Sequence, residues 1–149
     1  MKQNDSNKPP QNDVTIELHV PDFEITKKFY KKLGFDVIWE RKPEADKGYL
    51  VMKRDNSIIC FYCGNSKVFD HSYFKRFSKT TKKGYAVEIV IVVDDIDETY
   101  KKCKKFANIV ENMKIKPWGL KDFRLEDPFG FYLRITEPHN ILHSGNAVK

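Results

Sequence analysis

Apolar and polar residues alternate strictly over residues 13–20. This period of two predicts a β-strand with one dry face and one polar face. The polar face carries three residues that form hydrogen bonds: Thr15, Glu17 and His19. A helical period follows over residues 23–33, with Asp22 as the N-cap and Gly34 as the C-terminal stop.

The rest of the chain repeats this strand–helix order. Short apolar runs after the first helix predict strands at residues 36–41, 49–53 and 57–63. A loop-rich stretch, 64–84, precedes a nearly continuous apolar run that predicts a strand at 85–93, and Asp95 caps a second helix at 96–107. Three further strands are predicted at 109–116, 122–126 and 131–136.

The predicted order is βαβββ followed by βαβββ, which indicates an internal repeat in an α+β fold. Residues 15–22 lie 73 positions before residues 88–95, and strand, acidic cap and helix coincide at that offset. The boundaries that follow are a disordered tail at 1–12, a folded domain at 13–137 and a flexible tail at 138–149. Within the domain, the first module spans about 13–84 and the second about 85–137.

Composition narrows the class of protein. The 149 residues are 40% hydrophobic and 13% aromatic, enough for a buried core. No apolar run approaches the roughly 20 residues of a membrane span, so no membrane partner is expected. The N-terminus lacks the apolar centre of a secretory signal, and the three cysteines are an odd number. We therefore expect a cytoplasmic protein with reduced thiols.

The charge balance first suggests a nucleic-acid partner, since the chain has 27 Lys and Arg residues against 21 Asp and Glu, a net charge of +6. Most lysines, however, lie on the wet faces of the two predicted helices. One compact basic cluster remains: Lys75, Arg76, Lys79, Lys82 and Lys83. We interpret it as solvated surface, with nucleic-acid binding as an alternative that salt-dependent DNA binding would support.

Three segments together resemble the vicinal oxygen chelate superfamily, which includes glyoxalase I, extradiol dioxygenases and the fosfomycin and bleomycin resistance proteins. They are VPDFEITKKFYKKLGF, VVDDIDETYKKCKKF and WGLKDFRLEDPFGFYLRI. The resemblance covers about residues 13–137. It implies two βαβββ modules that form a curved mixed sheet around a crevice, with the helices outside. It also implies a homodimer, because proteins of the bleomycin-resistance branch bind ligands in crevices at a dimer interface.

The resemblance also implies where a metal would be held in the metal-dependent members. Those positions fall at Thr15, Cys60, Glu88 and Arg134. Arginine does not ligate metals and places a positive charge where the cation would lie. We therefore expect no metal site at the usual positions and no cofactor. A shifted site using Glu17, His19 and Glu88 remains the alternative.

Glu88 and Arg134 stand out because each interrupts an otherwise apolar run, AVEIVIVV and YLRI. An isolated ionised group in such a strand is costly unless it is paired. The resemblance brings the two positions toward one crevice. Two interpretations stay open, which are a salt bridge in place of the metal and a pair of groups that hold a polar ligand.

These features predict a small-molecule binding protein that sequesters its ligand, as antibiotic-resistance proteins of this superfamily do. The predicted ligand-binding residues are Glu17, His19, Trp39, Tyr62, Glu88, Trp118, Tyr132 and Arg134. The net charge of +6 favours an anionic or neutral aromatic ligand over cationic bleomycin. The alternative is a metal-dependent lyase, isomerase or dioxygenase of the same superfamily.

Overall fold

A computed structural model describes residues 8–10 and 12–139. Its elements, in chain order, are β1 (Glu17–Val20), α1 (Phe23–Lys32), β2 (Asp36–Arg41), β3 (Tyr49–Arg54), β4 (Ser57–Cys63), two 3₁₀ helices (Ser66–Asp70 and Phe74–Arg76), β5 (Ile89–Val92), α2 (Ile96–Cys103), β6 (Asn108–Ile115), β7 (Lys121–Glu126) and β8 (Tyr132–Thr136). The tails predicted at 1–12 and 138–149 lie mostly outside the described residues.

The chain forms two compact units, Met1–Thr81 and Lys82–Lys149, called unit 1 and unit 2 below. Each unit has one four-stranded mixed sheet, with the order β1-β4-β3-β2 in unit 1 and β5-β8-β7-β6 in unit 2. The first strand of each unit pairs in parallel with the last, and the other pairings are antiparallel. The predicted α+β class and the two βαβββ modules are therefore confirmed.

In unit 1, helix α1 covers one face of the sheet. The rings of Tyr30 and Phe61 are both fully buried, and their centroids lie 5.0 Å apart. Leu50 and Val20 complete this layer without exposed surface. Because strand neighbours point to opposite faces, the residues that alternate with these lie on the open face of the sheet.

Unit 2 repeats the arrangement with helix α2. The ring of Tyr100 lies 4.9 Å from that of Phe123, and Phe123 is fully buried. Leu125, Leu133 and Ile135 form the rest of this layer and have no exposed surface. The residues between them on β7 and β8, which include several charged ones, point to the opposite face.

Equivalent caps confirm the 73-residue repeat in atomic detail. The side chain of Asp22 accepts the N–H of Ile25 at 2.9 Å, and that of Asp95 accepts the N–H of Glu98 at the same distance. One turn later, the hydroxyls of Thr26 and Thr99 donate to the Asp22 and Asp95 carbonyls, each at 2.7 Å. The four hydrogen bonds form two equivalent pairs, one at the start of α1 and one at the start of α2. They stabilise both helices in the same way.

Two strands of the structure are shorter than the strands that the sequence pattern predicts. The strand expected at 13–20 begins only at Glu17, and the side chain of Val14 is 77% exposed. The strand expected at 85–93 covers only Ile89–Val92, because the Val87 N–H closes a turn onto the Gly84 carbonyl at 2.9 Å.

Candidate functional site

The open face of the unit 1 sheet carries polar and aromatic side chains. The parallel pairing of β1 with β4 places Glu17 opposite Cys60 and His19 opposite Tyr62. Tyr62 in turn lies opposite Tyr49 of β3. Side chains in register on one face are neighbours, so the sheet itself gathers these groups.

Two residues outside the sheet complete this cluster. The imidazole of His19 lies 4.9 Å, between ring centroids, from each of Tyr62, His71 and Phe74. The sequence does not point to His71 and Phe74 as site residues because the 64–84 stretch has no periodic pattern. We call the assembled set the ring face: Glu17, His19, Tyr49, Cys60, Tyr62, His71 and Phe74.

Glu17 and His19 form the charged centre of the ring face. The imidazole Nε2 lies 3.2 Å from Glu17 Oε1. This bond is the main reason that the pKa of Glu17 is lowered, although burial opposes the shift. The other ring nitrogen, Nδ1, is buried and has no hydrogen-bond partner. When the imidazole is neutral and Nε2 donates to Glu17, Nδ1 is an acceptor available to a donor group.

The thiols of unit 1 lie on or beside this face, and Cys60 and Cys63 are both buried and free. Burial raises the pKa of each thiol. A raised pKa keeps a thiol protonated and unreactive at neutral pH. These two buried thiols, spaced as CxxC, therefore contribute to packing.

A surface pocket of about 610 Å³ opens beside the ring face. Its lining residues are Ala45, Asp46, Tyr62, Lys67, Asp70, His71, Ser72 and Lys75. The amide of Asn65 donates to the carbonyls of Pro43 and Ala45 at 2.9 and 2.8 Å, which ties the 43–45 backbone to the end of β4. Tyr62 and His71 belong both to the pocket and to the ring face.

Trp39 lies on β2, which the two strands β4 and β3 separate from His19 on β1. Its ring centroid is 6.3 Å from that of Tyr49, and the guanidinium of Arg41 lies 5.9 Å above it. Among the predicted site residues of unit 1, Glu17, His19 and Tyr62 are therefore in one cluster. Trp39 reaches that cluster only through Tyr49.

The open face of unit 2 is ionic, and Arg124 is its centre. Only 7% of Arg124 is exposed. Its Nε lies 3.3 Å from Glu88 Oε1, while its Nη1 lies 2.5 Å from Asp122 Oδ1 and 3.3 Å from Glu111 Oε2. Three carboxylates therefore share one guanidinium, whose fork of donors suits this arrangement. No motif in the sequence points to Arg124, Asp122 or Glu111 as site residues.

Two lysines extend this network. Lys114 and Lys116 contact Glu111 Oε1 at 2.5 and 2.7 Å, and these bonds lower the pKa of Glu111 to about 2. Lys116 also lies 3.6 Å from Asp122, which has no exposed surface. We call the set the ionic face: Glu88, Glu111, Lys114, Lys116, Asp122, Arg124 and Arg134.

Arg134 is the least engaged cation of the ionic face. Its Nη1 lies 3.8 Å from Glu88 Oε2, and its Nε is buried without a hydrogen-bond partner. The guanidinium carbon lies 6.0 Å from the ring centroid of Trp118, within cation–π range. Tyr132 lies on the same face of β8, two residues before Arg134. The guanidinium thus keeps donor capacity beside an aromatic ring.

The environment of Glu88 corrects one expectation. The sequence predicts a dry strand around Glu88, but the residue precedes β5 and its side chain is 34% exposed. The predicted contact with Arg134 exists at 3.8 Å, while the closer partner of Glu88 is Arg124 at 3.3 Å. Glu88 is therefore a bridging, partly solvated carboxylate that contacts both arginines.

The side chains at the four positions implied for a metal do not suit a divalent cation. Arg134 brings a guanidinium, the Cys60 thiol is held protonated by its raised pKa, and Glu88 already contacts two arginines. Within residues 8–10 and 12–139, no three or more His, Cys, Asp or Glu side chains group so as to hold a metal ion.

The basic cluster noted in the sequence is divided between local contacts. Arg76 lies 4.4 Å over the ring of Tyr73, and Lys79 lies 5.4 Å over that of Phe69. In unit 2, Lys82 forms an ion pair with Glu126.

In the described part of the chain, no helix is both long enough and apolar enough to cross a membrane.

Comparison with known proteins identifies the fold. The family model for the Glyoxalase/Bleomycin resistance protein/Dioxygenase superfamily matches residues 14–135. None of the curated protein sequences matches the chain.

Three solved structures illustrate the likeness. A glyoxalase/bleomycin resistance protein/dioxygenase family enzyme from Burkholderia phytofirmans PsJN is 18% identical, with a TM-score of 0.65, over 83% of this chain and 95% of that one. A bleomycin-binding protein in complex with bleomycin is 22% identical, with a TM-score of 0.56, over 87% and 100%. A bleomycin resistance determinant encoded on the transposon Tn5 is 23% identical, with a TM-score of 0.57, over 87% and 100%. At these identities the likeness shows the fold.

Proposed function

Because the chain belongs to the Glyoxalase/Bleomycin resistance protein/Dioxygenase superfamily, we propose that it binds and sequesters a small organic molecule, specifically a planar aromatic compound that is acidic or neutral. One observation carries the proposal. Arg134 places a guanidinium beside Trp118 with its Nε buried and unpartnered. A guanidinium in this state attracts carboxylates, phosphates and phenolates, and it stacks on flat rings.

The proposed ligand class follows from charge. One of the structurally similar proteins is a bleomycin-binding protein in complex with bleomycin, and another is a bleomycin resistance determinant, so small-molecule binding has precedent in this fold. The net charge of +6 and the free donor of Arg134 oppose a cationic ligand. We therefore assign an anionic or neutral aromatic ligand to this protein.

Each unit has its own set of proposed binding residues, on the open face of its sheet. In unit 2, Arg134 binds the acidic group, Trp118 and Tyr132 lie beside it, and Glu88 contributes through its contacts with Arg124 and Arg134. In unit 1, aromatic and polar contacts come from Glu17, His19, Trp39 and Tyr62. The unpartnered Nδ1 of His19 supports this assignment, since a buried polar atom gains stability from a partner.

A thermal-shift screen tests the proposal with three classes of probe. Naphthalene-2-carboxylate should raise the melting temperature in proportion to the logarithm of its concentration, and naphthalene-2-carboxamide should do so more weakly. A cationic glycopeptide such as bleomycin should leave it unchanged. Stabilisation by the cation alone contradicts the proposed ligand class, and stabilisation by none of the three contradicts the binding function for planar aromatics.

We further propose a cytoplasmic homodimer without a resident metal. Three free, buried cysteines suit a reducing compartment. Sedimentation should give twice the 17.6 kDa mass of one chain at micromolar concentration, and a monomer would contradict the dimer. Stoichiometric zinc, iron, manganese or nickel in the purified protein would instead favour the metal-dependent enzyme.

A further inference from the structure

The ionic face distributes its carboxylates unequally between two arginines. Arg124 contacts Glu88, Glu111 and Asp122, at distances of 2.5 to 3.3 Å. Arg134 contacts only Glu88 among these, at 3.8 Å. Both guanidiniums contact the same carboxylate, through Oε1 on the Arg124 side and Oε2 on the Arg134 side. The position of Glu88 therefore decides how much negative charge lies against Arg134.

We infer that Arg124 is a positioning residue that holds Glu88 away from Arg134. It thereby determines that the site accepts a ligand with an acidic group. Residue 124 is opposite residue 134 in the β7–β8 register, so their side chains are neighbours on one face. Glu88 is 34% exposed and lies outside the strands, which leaves its side chain free to reorient. Without the Nε contact from Arg124, Glu88 closes onto Arg134 and occupies the donors that an acidic ligand needs.

This inference rests on the proposed function, since it explains how Arg134 stays available to an anion. It also explains why Arg124 is an arginine. Its Nε serves Glu88 while its Nη1 serves Glu111 and Asp122. A lysine ammonium is a single point charge and does not span both groups of partners.

The Arg124→Lys exchange tests the inference because it keeps the buried positive charge near Asp122 and removes the fork that reaches Glu88. We expect naphthalene-2-carboxylate to bind R124K about tenfold more weakly than wild type. An effect of this size is typical of the coupling between residues that belong to one salt-bridge network. Affinity for the neutral naphthalene-2-carboxamide should change less than twofold. Both affinities are measured by isothermal titration calorimetry.

The double variant separates positioning from general damage. In R124K/E88Q, the side chain at position 88 is a neutral amide that no longer competes for Arg134. The affinity for naphthalene-2-carboxylate should therefore return to at least that of wild type. The control is Lys116→Arg, a charge-conserving exchange in the same network whose ion pairs are with Glu111 and Asp122. It should not alter binding. Weak binding by R124K that E88Q does not rescue overturns the inference.

A crystal structure of R124K gives a readout that needs no ligand. The inference predicts that a Glu88 oxygen moves from 3.8 Å to hydrogen-bond distance of Arg134. Glu88 unmoved in R124K overturns the inference whatever binds. If Glu88 moves but wild type binds neither naphthalene probe, the positioning role stands and the proposed ligand class fails.

Discussion

The two units use the same backbone positions for different chemistry. In unit 1, Tyr49 lies opposite Tyr62 at the end of the antiparallel β3–β4 ladder. The equivalent pair in unit 2, at the end of the antiparallel β7–β8 ladder, is Asp122 opposite Thr136. In the parallel pairing of unit 1, Cys60 on β4 lies opposite Glu17 on β1. The equivalent pair in unit 2 is Arg134 on β8 opposite Val90 on β5. At two of these positions a ring or a thiol in unit 1 is replaced by a charged group in unit 2, since Asp122 is equivalent to Tyr49 and Arg134 to Cys60.

This difference shows that the repeat preserves the scaffold and leaves the open faces free to diverge. The ring face has one carboxylate–imidazole contact, and its rings meet in tilted and edge-on arrangements. The ionic face depends on Arg124, which three carboxylates share. Removing one partner from a buried ionic group costs more than removing one neutral hydrogen bond. The two faces should therefore respond differently to matched variants.

The largest expected effect comes from matched changes at the equivalent positions 122 and 49. Asp122→Asn removes the charge that lies 2.5 Å from Arg124 in a site without exposed surface. We expect it to lower the free energy of unfolding by about 3 kcal/mol. Tyr49→Phe removes one neutral hydroxyl and should cost about 1 kcal/mol. Urea denaturation measures both, and equal costs would contradict the contrast between the faces.

The helix caps provide a comparison in which the units should agree. Asp22→Ala and Asp95→Ala each remove a side-chain acceptor from the first turn of a helix. Each change should lower the free energy of unfolding by about 1 kcal/mol. Urea denaturation of the two variants checks this, with Asp22→Asn and Asp95→Asn as controls that keep the cap. A large cost at only one cap would show that the scaffolds are not equivalent.

The smallest expected effect is in the acid dependence of stability. The pKa of Glu111 falls from an ordinary 4.5 to about 2 in the folded protein. A depressed carboxyl pKa stabilises the fold above 4.5, and this stabilisation is lost as the pH falls toward 2. Glu111→Gln should therefore flatten the fall in stability over this interval, measured by urea denaturation at several pH values. An unchanged slope would contradict the role of Lys114 and Lys116.

Glu17 offers the matching acid test in unit 1. Its pKa is also lowered, chiefly by the bond from His19, while burial opposes the shift. Glu17→Gln should flatten the acid slope as well, in the range below its ordinary value of 4.5. We expect a smaller change than for Glu111→Gln, because two lysines act on Glu111. A larger effect at Glu17 would reverse the comparison.

Local patterns predict the scaffold well because its signals lie within a few residues. Asp22 and Asp95 are read as caps from their position before a helical period, and both cap as expected. The ionic face is different, since Arg124 reaches Glu88 across 36 residues of sequence. Alternation places Arg124 on a face of β7, but only the strand register shows which carboxylates surround it. His71 and Phe74 lie in a segment without periodicity, so no local signal points to them.

The central claim is that Arg134 binds the acidic group of a planar aromatic ligand. Isothermal titration of wild type and Arg134→Gln with naphthalene-2-carboxylate and its carboxamide tests it most directly. The account predicts that the variant loses about tenfold in affinity for the carboxylate, as expected for one charge-assisted contact, while the amide is little affected. Equal carboxylate affinity in wild type and variant, with both proteins folded, would contradict the claim.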